Sequence, residues 1–429
     1  MEIERLYEIF KQYPTITTDT RNCPEDSIFF ALKGANFNGN LYASKAIELG
    51  CRYAIVDEAE FADEQKNILL VEDCLKALQD LAHYHRSKFS IPVIGITGTN
   101  GKTTSKELIT AVLSQEFEVL STQGNFNNHI GVPLTLLQMN KTHEIAIIEM
   151  GANHVGEIKI LAEIADPTFG LITNIGHAHI EGFGSYENII KTKSELYDYI
   201  RNRKDGKVFI DANNDLLMKQ AEGLTTIQYG QGKDLFVKGK AVSNDPYLSF
   251  TWQFSKDDHL VHTHLIGEYN LSNALAAVAV GKYFGVKKVK ISEAIANYMP
   301  TNNRSQLKKT DKNTLVIDAY NANPTSMNAA LQNFRKLDIP NKAVILGDMR
   351  ELGADAAIEH QAIVDLVQDS DIKDAFFIGE NFSKTDTLLP RFEDLNAFLE
   401  YLKENPLTDK NILIKGSRGI QLEKCVDLL

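Results

Sequence analysis

The chain has 429 residues, of which 43% are hydrophobic and 24% charged, and its formal net charge is −12 at pH 7. Because one hydrophobic core rarely grows past about 250–300 residues, this length predicts about three domains. The ordinary composition excludes a disordered, collagenous or coiled-coil chain, and the negative charge argues against nucleic acid and acidic membrane surfaces as partners.

The cysteines, the N-terminal residues and the lengths of the apolar runs indicate the cellular compartment. Cys23, Cys51, Cys74 and Cys425 lack C-x-x-C spacing, which argues against a zinc site or a disulfide framework. The N-terminus lacks the basic and apolar regions of a signal peptide, and no apolar run reaches the roughly 20 residues of a membrane span. We therefore expect a cytoplasmic protein with reduced thiols and no membrane insertion.

The order of the elements predicts an α/β protein of three domains. Residues 1–88 form a small α+β unit, residues 89–300 a central parallel-sheet domain, and residues 301–429 a doubly wound, Rossmann-like domain. The predicted strands of the central domain are 93–96, 117–120, 145–148, 169–173 and 208–210, followed by an antiparallel appendage over 235–264 and a helix over 271–284. In the last domain we predict strands at 315–317, 343–346, 375–378 and 412–414, with helices between them, and a hinge at 299–306.

The segment ITGTNGKTT, residues 96–104, lies between a predicted strand and an amphipathic helix, which is the context of a phosphate-binding loop. Its glycines allow backbone N–H groups to approach a phosphate, Lys102 supplies a charge, and the Thr103 hydroxyl can ligate Mg²⁺. The strict pattern requires glycine at Ile96, so this loop is a variant with glycines at 95, 98 and 101. The alternative is a chance G-K-T in a surface turn.

Polar residues follow the next predicted strands of the central domain. Glu149 ends one strand, where ligands collect in open α/β sheets, and the alternative is a solvated acid. His177 and His179 follow another strand, and their spacing alone suggests zinc, but no third ligand accompanies them. The segment around Lys193 is by default a charged helix face, and the asparagines at the start of the helix after residue 267 can cap it or contact an adenine.

Taken together, G-T-N-G-K-T and four further stretches resemble the Mur ligase family of ATP-dependent, amide-forming synthetases over essentially the whole chain. The stretches are EMGANHVGEI (149–158), TNIGHAHIEGFGS (173–185), DAYNANPTSM (318–327) and LGDMRELG (346–353). They are similar to the member that joins D-alanyl-D-alanine to UDP-N-acetylmuramoyl-tripeptide, a step of peptidoglycan precursor synthesis. The reaction implied by the resemblance proceeds through an acyl phosphate and gives the pentapeptide, ADP and phosphate.

The resemblance also implies roles for individual residues. Catalysis and Mg²⁺ binding fall to Lys102, Thr103, Glu149, His179 and a carbamylated Lys193, with His177 as a neighbour. ATP contacts fall to the phosphate loop, the helix after residue 267, the hinge and a strand end: Gly98, Thr99, Asn100, Gly101, Lys102, Thr103, Thr104, Asn270, Asn273, Arg304 and Asp318. Substrate contacts fall to Thr20, Arg21, Lys33, Asn127, Asn128, Tyr320, Asn321, Asn323 and Arg418.

Other functions stay open at this point. The preceding ligase of the same family adds a diamino acid, although the D-N-P-R stretch typical of it is absent from this sequence. A P-loop switch that binds ATP without ligation would not need Glu149, His179 and Lys193 together. We expect a monomer that uses ATP and Mg²⁺ and acts on the two substrates named above.

Overall fold

The computed structural model describes residues 1–254, 257–301 and 304–429. Within these residues the chain forms three large sheets, mostly parallel, with helices against them, which confirms the predicted α/β class. No helix of this described part has both the length and the apolar character needed to span a bilayer.

The N-terminal unit is built on a four-stranded parallel sheet in the order β1-β2-β5-β6. Its short strands are fully apolar at the centre, as buried parallel strands are, and a small hairpin, β3 and β4, lies beside the sheet. The elements are α1 (Ile3–Gln12), β1 (Ile16–Thr17), β2 (Ile28–Phe30), β3 (Lys33–Gly34), β4 (Phe37–Asn38), α2 (Ala43–Glu48), β5 (Tyr53–Val56), β6 (Ile68–Leu70) and α3 (Cys74–Arg86).

The central unit contains a nine-stranded sheet in the order β15-β14-β13-β12-β11-β10-β7-β9-β8, counted over the described residues. Its elements are β7 (Val93–Thr97), α4 (Lys102–Leu113), β8 (Val119–Ser121), α5 (Gly131–Leu136), β9 (Ile145–Glu149), α6 (Glu157–Ala165), β10 (Phe169–Ile172), α7 (Ile180–Phe183), α8 (Tyr186–Arg201), β11 (Lys207–Asp211), α9 (Asp215–Gln220), β12 (Thr225–Gly230), β13 (Val237–Asn244), β14 (Tyr247–Phe254), β15 (Asp257–Ile266), α10 (Asn270–Tyr283) and α11 (Lys288–Asn297).

The antiparallel appendage is a continuation of this same sheet, because β13 pairs in parallel with β12 before the hairpins of β14 and β15 begin. The elements α11 and β12 were not predicted from the sequence, and the residues of β12, TTIQYG, mix polar and apolar side chains. The strand β8 begins at Val119, two residues after its predicted start at Phe117.

The C-terminal unit has a six-stranded sheet in the order β16-β17-β21-β18-β19-β20, again within the described residues. Its elements are β16 (Gln306–Lys309), β17 (Thr314–Asp318), α12 (Pro324–Lys336), β18 (Lys342–Gly347), α13 (Ala356–Gln368), β19 (Asp374–Ile378), α14 (Glu380–Ser383), β20 (Arg391–Phe392), α15 (Leu395–Glu404) and β21 (Asn411–Lys415). The predicted strands are present, and the missed ones are the edge strands, of which β16 is antiparallel to β17 and largely polar.

The predicted domain boundaries near residues 88 and 300 stay predictions, and they fall in the connections between α3 and β7 and between α11 and β16. The second connection contains the proposed hinge at 299–306, of which Asn302 and Asn303 lie outside the described residues.

The N-terminal and central units are joined by one apolar core and by a buried arginine. A single cluster of buried side chains runs from Leu6 and Phe10 to residues of α6 and α8. The Arg86 guanidinium, 3% exposed, donates to the carbonyl oxygens of Phe89 and Ile91 in the connection, at 2.5 and 3.3 Å. It also donates to the carbonyl oxygens of the last residue of α6 and of the residue after it, each at 3.3 Å. These bonds fix the end of α3 to the central unit.

We expect Arg86→Lys to lower the free energy of unfolding by about 2–4 kcal/mol, because one ammonium cannot serve carbonyl groups that a planar guanidinium reaches together. Urea denaturation measures the loss. The control is Arg5→Ala, whose side chain is 61% exposed and whose ion pair with Glu64 is long, at 3.9 Å; it should change stability by less than about 0.5 kcal/mol. Equal effects of the two substitutions would contradict the role given to Arg86.

Candidate active site

The phosphate loop connects β7 to α4 and requires glycine at two positions. Gly98 and Gly101 have φ angles of +143° and +79°, which residues with a Cβ rarely adopt. A Cβ on Gly98 would also lie 2.0 Å from the Thr173 hydroxyl. The turn brings the N-terminus of α4, the positive end of its dipole, to the edge of a large cavity.

Lys102 is the first residue of α4 and folds back over this loop. Its Nζ donates to the carbonyl oxygens of Gly98 and Thr99, at 2.8 and 3.0 Å. Burial lowers the pKa of Lys102; the nearby charge of Glu149 opposes this shift, and that of Arg304 adds to it. The ammonium therefore lies among the loop, a carboxylate and a second cation, where an anionic phosphate would be stabilised.

The cavity has a volume of about 960 Å³ and is lined by residues of all three units. It lies at the carboxyl ends of parallel strands of the central and C-terminal sheets, where open α/β folds bind ligands. The predicted site residues that line it are Thr99, Asn100, Gly101, Lys102, Thr103, Thr104, Asn127, Asn128, Glu149, His179, Asn270, Asn273, Arg304, Asp318, Tyr320 and Asn321.

Four further predicted residues lie outside this lining, each near a residue of it. Gly98 accepts from Lys102, and Asn323 donates to Asn100 at 2.9 Å. Lys193 donates to the carbonyl oxygen of Ala152 at 3.4 Å, and the Arg418 guanidinium lies 5.7 Å from the centre of the Tyr320 ring.

Glu149 ends β9 and is 1% exposed. Its Oε1 accepts from Asn127 Nδ2 at 2.8 Å and from the Thr103 hydroxyl at 3.2 Å, whereas its buried Oε2 has no hydrogen-bond partner among the described residues. A buried carboxylate oxygen without a partner is costly unless a cation joins it. Glu149 and Thr103 therefore fit a hard cation with oxygen ligands, such as Mg²⁺.

The described residues contain no cluster of three His, Cys, Asp or Glu side chains that could hold a metal by themselves. One carboxylate, that of Glu149, beside the Thr103 hydroxyl suits Mg²⁺ better than zinc, because Mg²⁺ usually takes one or two protein carboxylates and completes its shell with water and substrate phosphates.

The two histidines after β10 have different environments. His179 has a left-handed backbone, φ +54°, and its Nδ1 contacts the carboxylate of Glu351 from the C-terminal unit. Burial lowers the pKa of His179, although Glu351 opposes this shift. His177 is exposed and stacks on Tyr186, with ring centres 4.4 Å apart, and its interpretation as a neighbour stays a prediction.

Lys193 is on α8 and 2% exposed. Burial lowers its pKa to about 7; the charge of Lys102 adds to this shift, and Glu157 and Glu195 oppose it. The Lys193 amine lies 5.4 Å from the centre of the Phe183 ring. Near neutral pH a large share of this amine is therefore uncharged, and only an uncharged amine is a nucleophile.

The asparagines of the first turn of α10 do not cap it, because Tyr269 is the N-cap residue and makes no side-chain cap. Asn270 Nδ2 donates to the carbonyl oxygen of Ile266 at 2.8 Å, and its Oδ1 accepts from Asn273 at 2.9 Å. Asn273 Oδ1 accepts from Ser105 on α4 at 2.9 Å. The amides thus hold the first turn of α4, which follows the phosphate loop, and their contact with an adenine stays a prediction.

Arg304 and Asp318 lie where the C-terminal unit meets the cavity. The Arg304 guanidinium lies 3.7 Å from the centre of the Tyr320 ring, a cation–π contact that holds it over the cleft. Asp318 ends β17, and its Oδ2 accepts from Lys415 Nζ at 2.6 Å. Lys415 is 2% exposed and also donates to the carbonyl oxygen of Asn321, at 3.3 Å.

The neighbours Asn127 and Asn128 make different hydrogen bonds. Asn127 donates to Glu149, as described above. Asn128 instead accepts from the backbone N–H groups of Ile130 and Gly131, at 3.1 and 2.8 Å, and so fixes the turn into α5. Both line the cavity.

The predicted N-terminal substrate residues are not part of this cavity's lining. Lys33 Nζ lies 2.8 Å from Asp57 and 3.0 Å from Glu58, and Arg21 is paired with Asp19 at 2.6 Å. Thr20 is half-buried and accepts a weak hydrogen bond from Cys23 at 3.7 Å. Their contact with a nucleotide-sugar stays a prediction.

Glu351, Lys415 and Asn174 lie in stretches that resemble family motifs, but no individual role was predicted for them from the sequence. Asn174 Oδ1 accepts from the backbone N–H of Asn100 at 3.0 Å. All three lie in polar stretches that follow apolar strands, which is the signal that could have found them. Their partners come from distant parts of the chain, so the sequence gives no sign of the pairings.

Three family models match the chain. They are described as "Mur ligase family, catalytic domain" over residues 12–86, "Mur ligase middle domain" over 96–281 and "Mur ligase, glutamate ligase domain" over 303–418. The chain is 36% identical to "UDP-N-acetylmuramoyl-tripeptide--D-alanyl-D-alanine ligase" of Bacillus subtilis over 424 residues, covering 96% of this chain and 92% of that protein. It is 32% identical to the protein of the same name from Escherichia coli, covering 96% and 93%.

Solved structures show the same similarity. A crystal structure of MurF from Acinetobacter baumannii has a TM-score of 0.87 and 30% identity, covering 96% of this chain and 93% of that one. A MurF ligase from Thermotoga maritima in complex with ADP has a TM-score of 0.85 and 24% identity, covering 96% of each chain, and shows the common fold.

The same substitution at the neighbours Asn127 and Asn128 should change stability by very different amounts. Asn127→Asp places a second carboxylate against buried Glu149 and removes a donor, so we expect a loss of about 2–4 kcal/mol in the free energy of unfolding at pH 7. Asn128→Asp keeps the accepting oxygen at the start of a helix, so stability should stay within about 0.5 kcal/mol. Denaturation of both variants checks this, and a mild effect at Asn127 would contradict its contact with Glu149.

Proposed function

The chain belongs to the Mur ligase family, and on that premise we propose that it joins D-alanyl-D-alanine to UDP-N-acetylmuramoyl-tripeptide in an ATP-dependent reaction. The products are the UDP-muramoyl-pentapeptide, ADP and phosphate. The observation that carries this function is the meeting of the phosphate loop and buried Glu149 in one cavity, in a chain similar over nearly its full length to ligases of that name.

The reaction forms one amide bond at the expense of one phosphoanhydride bond. A carboxylate oxygen of the tripeptide attacks the γ-phosphorus of ATP, which releases ADP and leaves an acyl phosphate. The amine of the dipeptide then attacks the acyl carbon, loses a proton, and phosphate departs. Lys102 and Arg304 would hold the phosphate oxygens and stabilise the negative charge that is spread over them in the transition state.

Mg²⁺ is proposed as the cation that joins Glu149. Support comes from the unpartnered Oε2 of Glu149 beside the Thr103 hydroxyl, with His179 at the same cavity. When bound there, Mg²⁺ supplies positive charge that reduces the repulsion between a carboxylate and a triphosphate. Thr103, Glu149, His179 and carbamylated Lys193 would hold it.

Carbamylation of Lys193 is proposed from its burial and its pKa. The modification forms a bond between the uncharged amine nitrogen and the carbon of CO₂, with loss of one proton, so it requires an amine that is unprotonated near pH 7. The product is an anion at a position where an unmodified ammonium would be buried beside the charge of Lys102.

The remaining assignments are also proposals. Arg304, Asp318, Asn270 and Asn273 would bind ATP with the phosphate loop. The tripeptide would lie toward Asn127 and the N-terminal unit, and the dipeptide toward Asn321, Tyr320 and Arg418, with Thr20, Arg21 and Lys33 at the nucleotide-sugar. A monomer and a cytoplasmic location complete the proposal.

Phosphate release with each amine tests the function directly. We expect release from ATP only when UDP-muramoyl-tripeptide and D-alanyl-D-alanine are both present, because the acyl phosphate needs both reactants to turn over. The control replaces them with the UDP-muramoyl-dipeptide precursor and a diamino acid. Release in the control instead would assign the chain to the preceding ligase, and release with neither pair would favour an ATP-binding switch.

Replacement of Lys193 tests both its role in catalysis and its carbamylation. We expect Lys193→Ala to lower kcat at least about 100-fold, since it removes the anion beside the cation site. In ¹³C-bicarbonate, the wild type should give a carbamate carbon signal by NMR that Lys193→Ala lacks, while Lys191→Ala, on the exposed side of α8, keeps it. A wild-type kcat in Lys193→Ala would refute the role of Lys193 in catalysis. A carbamate carbon signal that stays unchanged in Lys193→Ala would refute carbamylation of Lys193.

A further inference from the structure

Asn323 is the N-cap residue of α12 and takes part in a capping box. Its side-chain oxygen accepts from the backbone N–H of Ser326 at 2.9 Å, and the Ser326 hydroxyl accepts from the backbone N–H of Asn323 at 3.1 Å. This function requires only an acceptor, so serine or aspartate would cap the helix about as well. The cap alone does not explain an amide here.

The nitrogen of the Asn323 side-chain amide contacts a residue outside the C-terminal unit. Its Nδ2 donates to Oδ1 of Asn100, in the phosphate loop, at 2.9 Å, and Asn323 is 5% exposed. The two side chains are 223 residues apart in sequence. One side chain thus caps a helix of one unit and bonds to the phosphate loop of another.

Asn100 is a fixed partner, because its backbone is held on both sides. Its N–H donates to Asn174 Oδ1 at 3.0 Å, and its carbonyl oxygen accepts from the Thr173 hydroxyl at 2.6 Å and from Asn174 Nδ2 at 2.9 Å. These bonds leave the Asn100 side chain directed toward α12. A movement of α12 would therefore displace the Asn100 side chain in the phosphate loop.

A second contact places the same helix end on the central unit. The backbone N–H of His177 donates to the Thr325 hydroxyl at 3.2 Å, and a Cβ on Gly176 would lie 3.0 Å from that oxygen. The start of α12 thus lies against both the phosphate loop and the loop that carries His179.

We propose that Asn323 is a positioning residue for the ligation, which acts through Asn100 and couples the placement of the C-terminal domain to the geometry of the phosphate loop. This inference rests on the proposed function and gives Asn323 a role other than substrate binding. When the domain lies on the loop, Asn100 is held from both sides, and water is excluded from the phosphoryl group in transit.

A double-mutant cycle tests the coupling. Asn323→Ser keeps an acceptor for the cap but has no donor that reaches Asn100, and Asn100→Ala removes the partner. We expect each variant to lower kcat about 3- to 10-fold, the size of one lost hydrogen bond. The double variant should be no slower than the slower single variant, because both remove the same contact. In Asn323→Ser the KM for D-alanyl-D-alanine should stay within twofold.

Other results would overturn the proposal. Multiplicative losses in the double variant would mean that the residues act independently, and a raised KM for the dipeptide with an unchanged kcat would make Asn323 a substrate ligand. A wild-type kcat in Asn323→Ser would remove any role. Thermal unfolding monitors the cap, and Asn323→Asp, which also keeps the acceptor, replaces Asn323→Ser if that variant does not fold.

A scattering experiment separates this inference from the proposed function, because it needs no ligation. We expect a non-hydrolysable ATP analogue to reduce the radius of gyration of the wild type, and to reduce that of Asn323→Ser by less. Equal compaction of both would overturn the coupling. A wild type that compacts but releases no phosphate with the two substrates would refute the function and leave the coupling standing.

Discussion

Repulsion between a carboxylate and a triphosphate is the constraint on which the cleft depends. The chain carries a net charge of −12, so its overall field adds to this repulsion. Attraction must come from groups at the cavity, which are Lys102, Arg304 and the N-terminus of α4, together with the cation proposed at Glu149. The cost of burying these groups is visible in the lowered pKa of Lys102 and in the unpartnered oxygen of Glu149.

Local sequence was sufficient to predict the parts of the site that are built within one loop. The strand before residue 98, the glycines at 98 and 101 and the helix from Lys102 are consecutive, so their pattern predicts their geometry. Glu149 could be predicted for a related reason, because an acid at the end of a buried parallel strand points to the edge where ligands bind. Elements without an apolar pattern, such as β12 and β16, were missed.

Pairs between distant segments could not be predicted. His179 contacts Glu351, Asp318 pairs with Lys415 across 97 residues, and each pairing arises only when two strand ends meet. The asparagines of α10 illustrate the same limit, since the sequence allowed a cap or an adenine contact and the structure uses their amides to hold α4. Residue type and spacing define a chemical capacity, whereas the partner depends on tertiary packing.

The apolar core that the N-terminal and central units share beside Arg86 determines which units unfold together. The N-terminal sheet and one face of the central sheet belong to one apolar cluster, whereas the C-terminal sheet packs on two clusters of its own, with Ile266 and Tyr247 as contacts from the central unit. Cooperativity follows shared burial, so the first two units should melt as one foldon and the third as another. By shared burial, the three large sheets of the described residues therefore form two cooperative bodies.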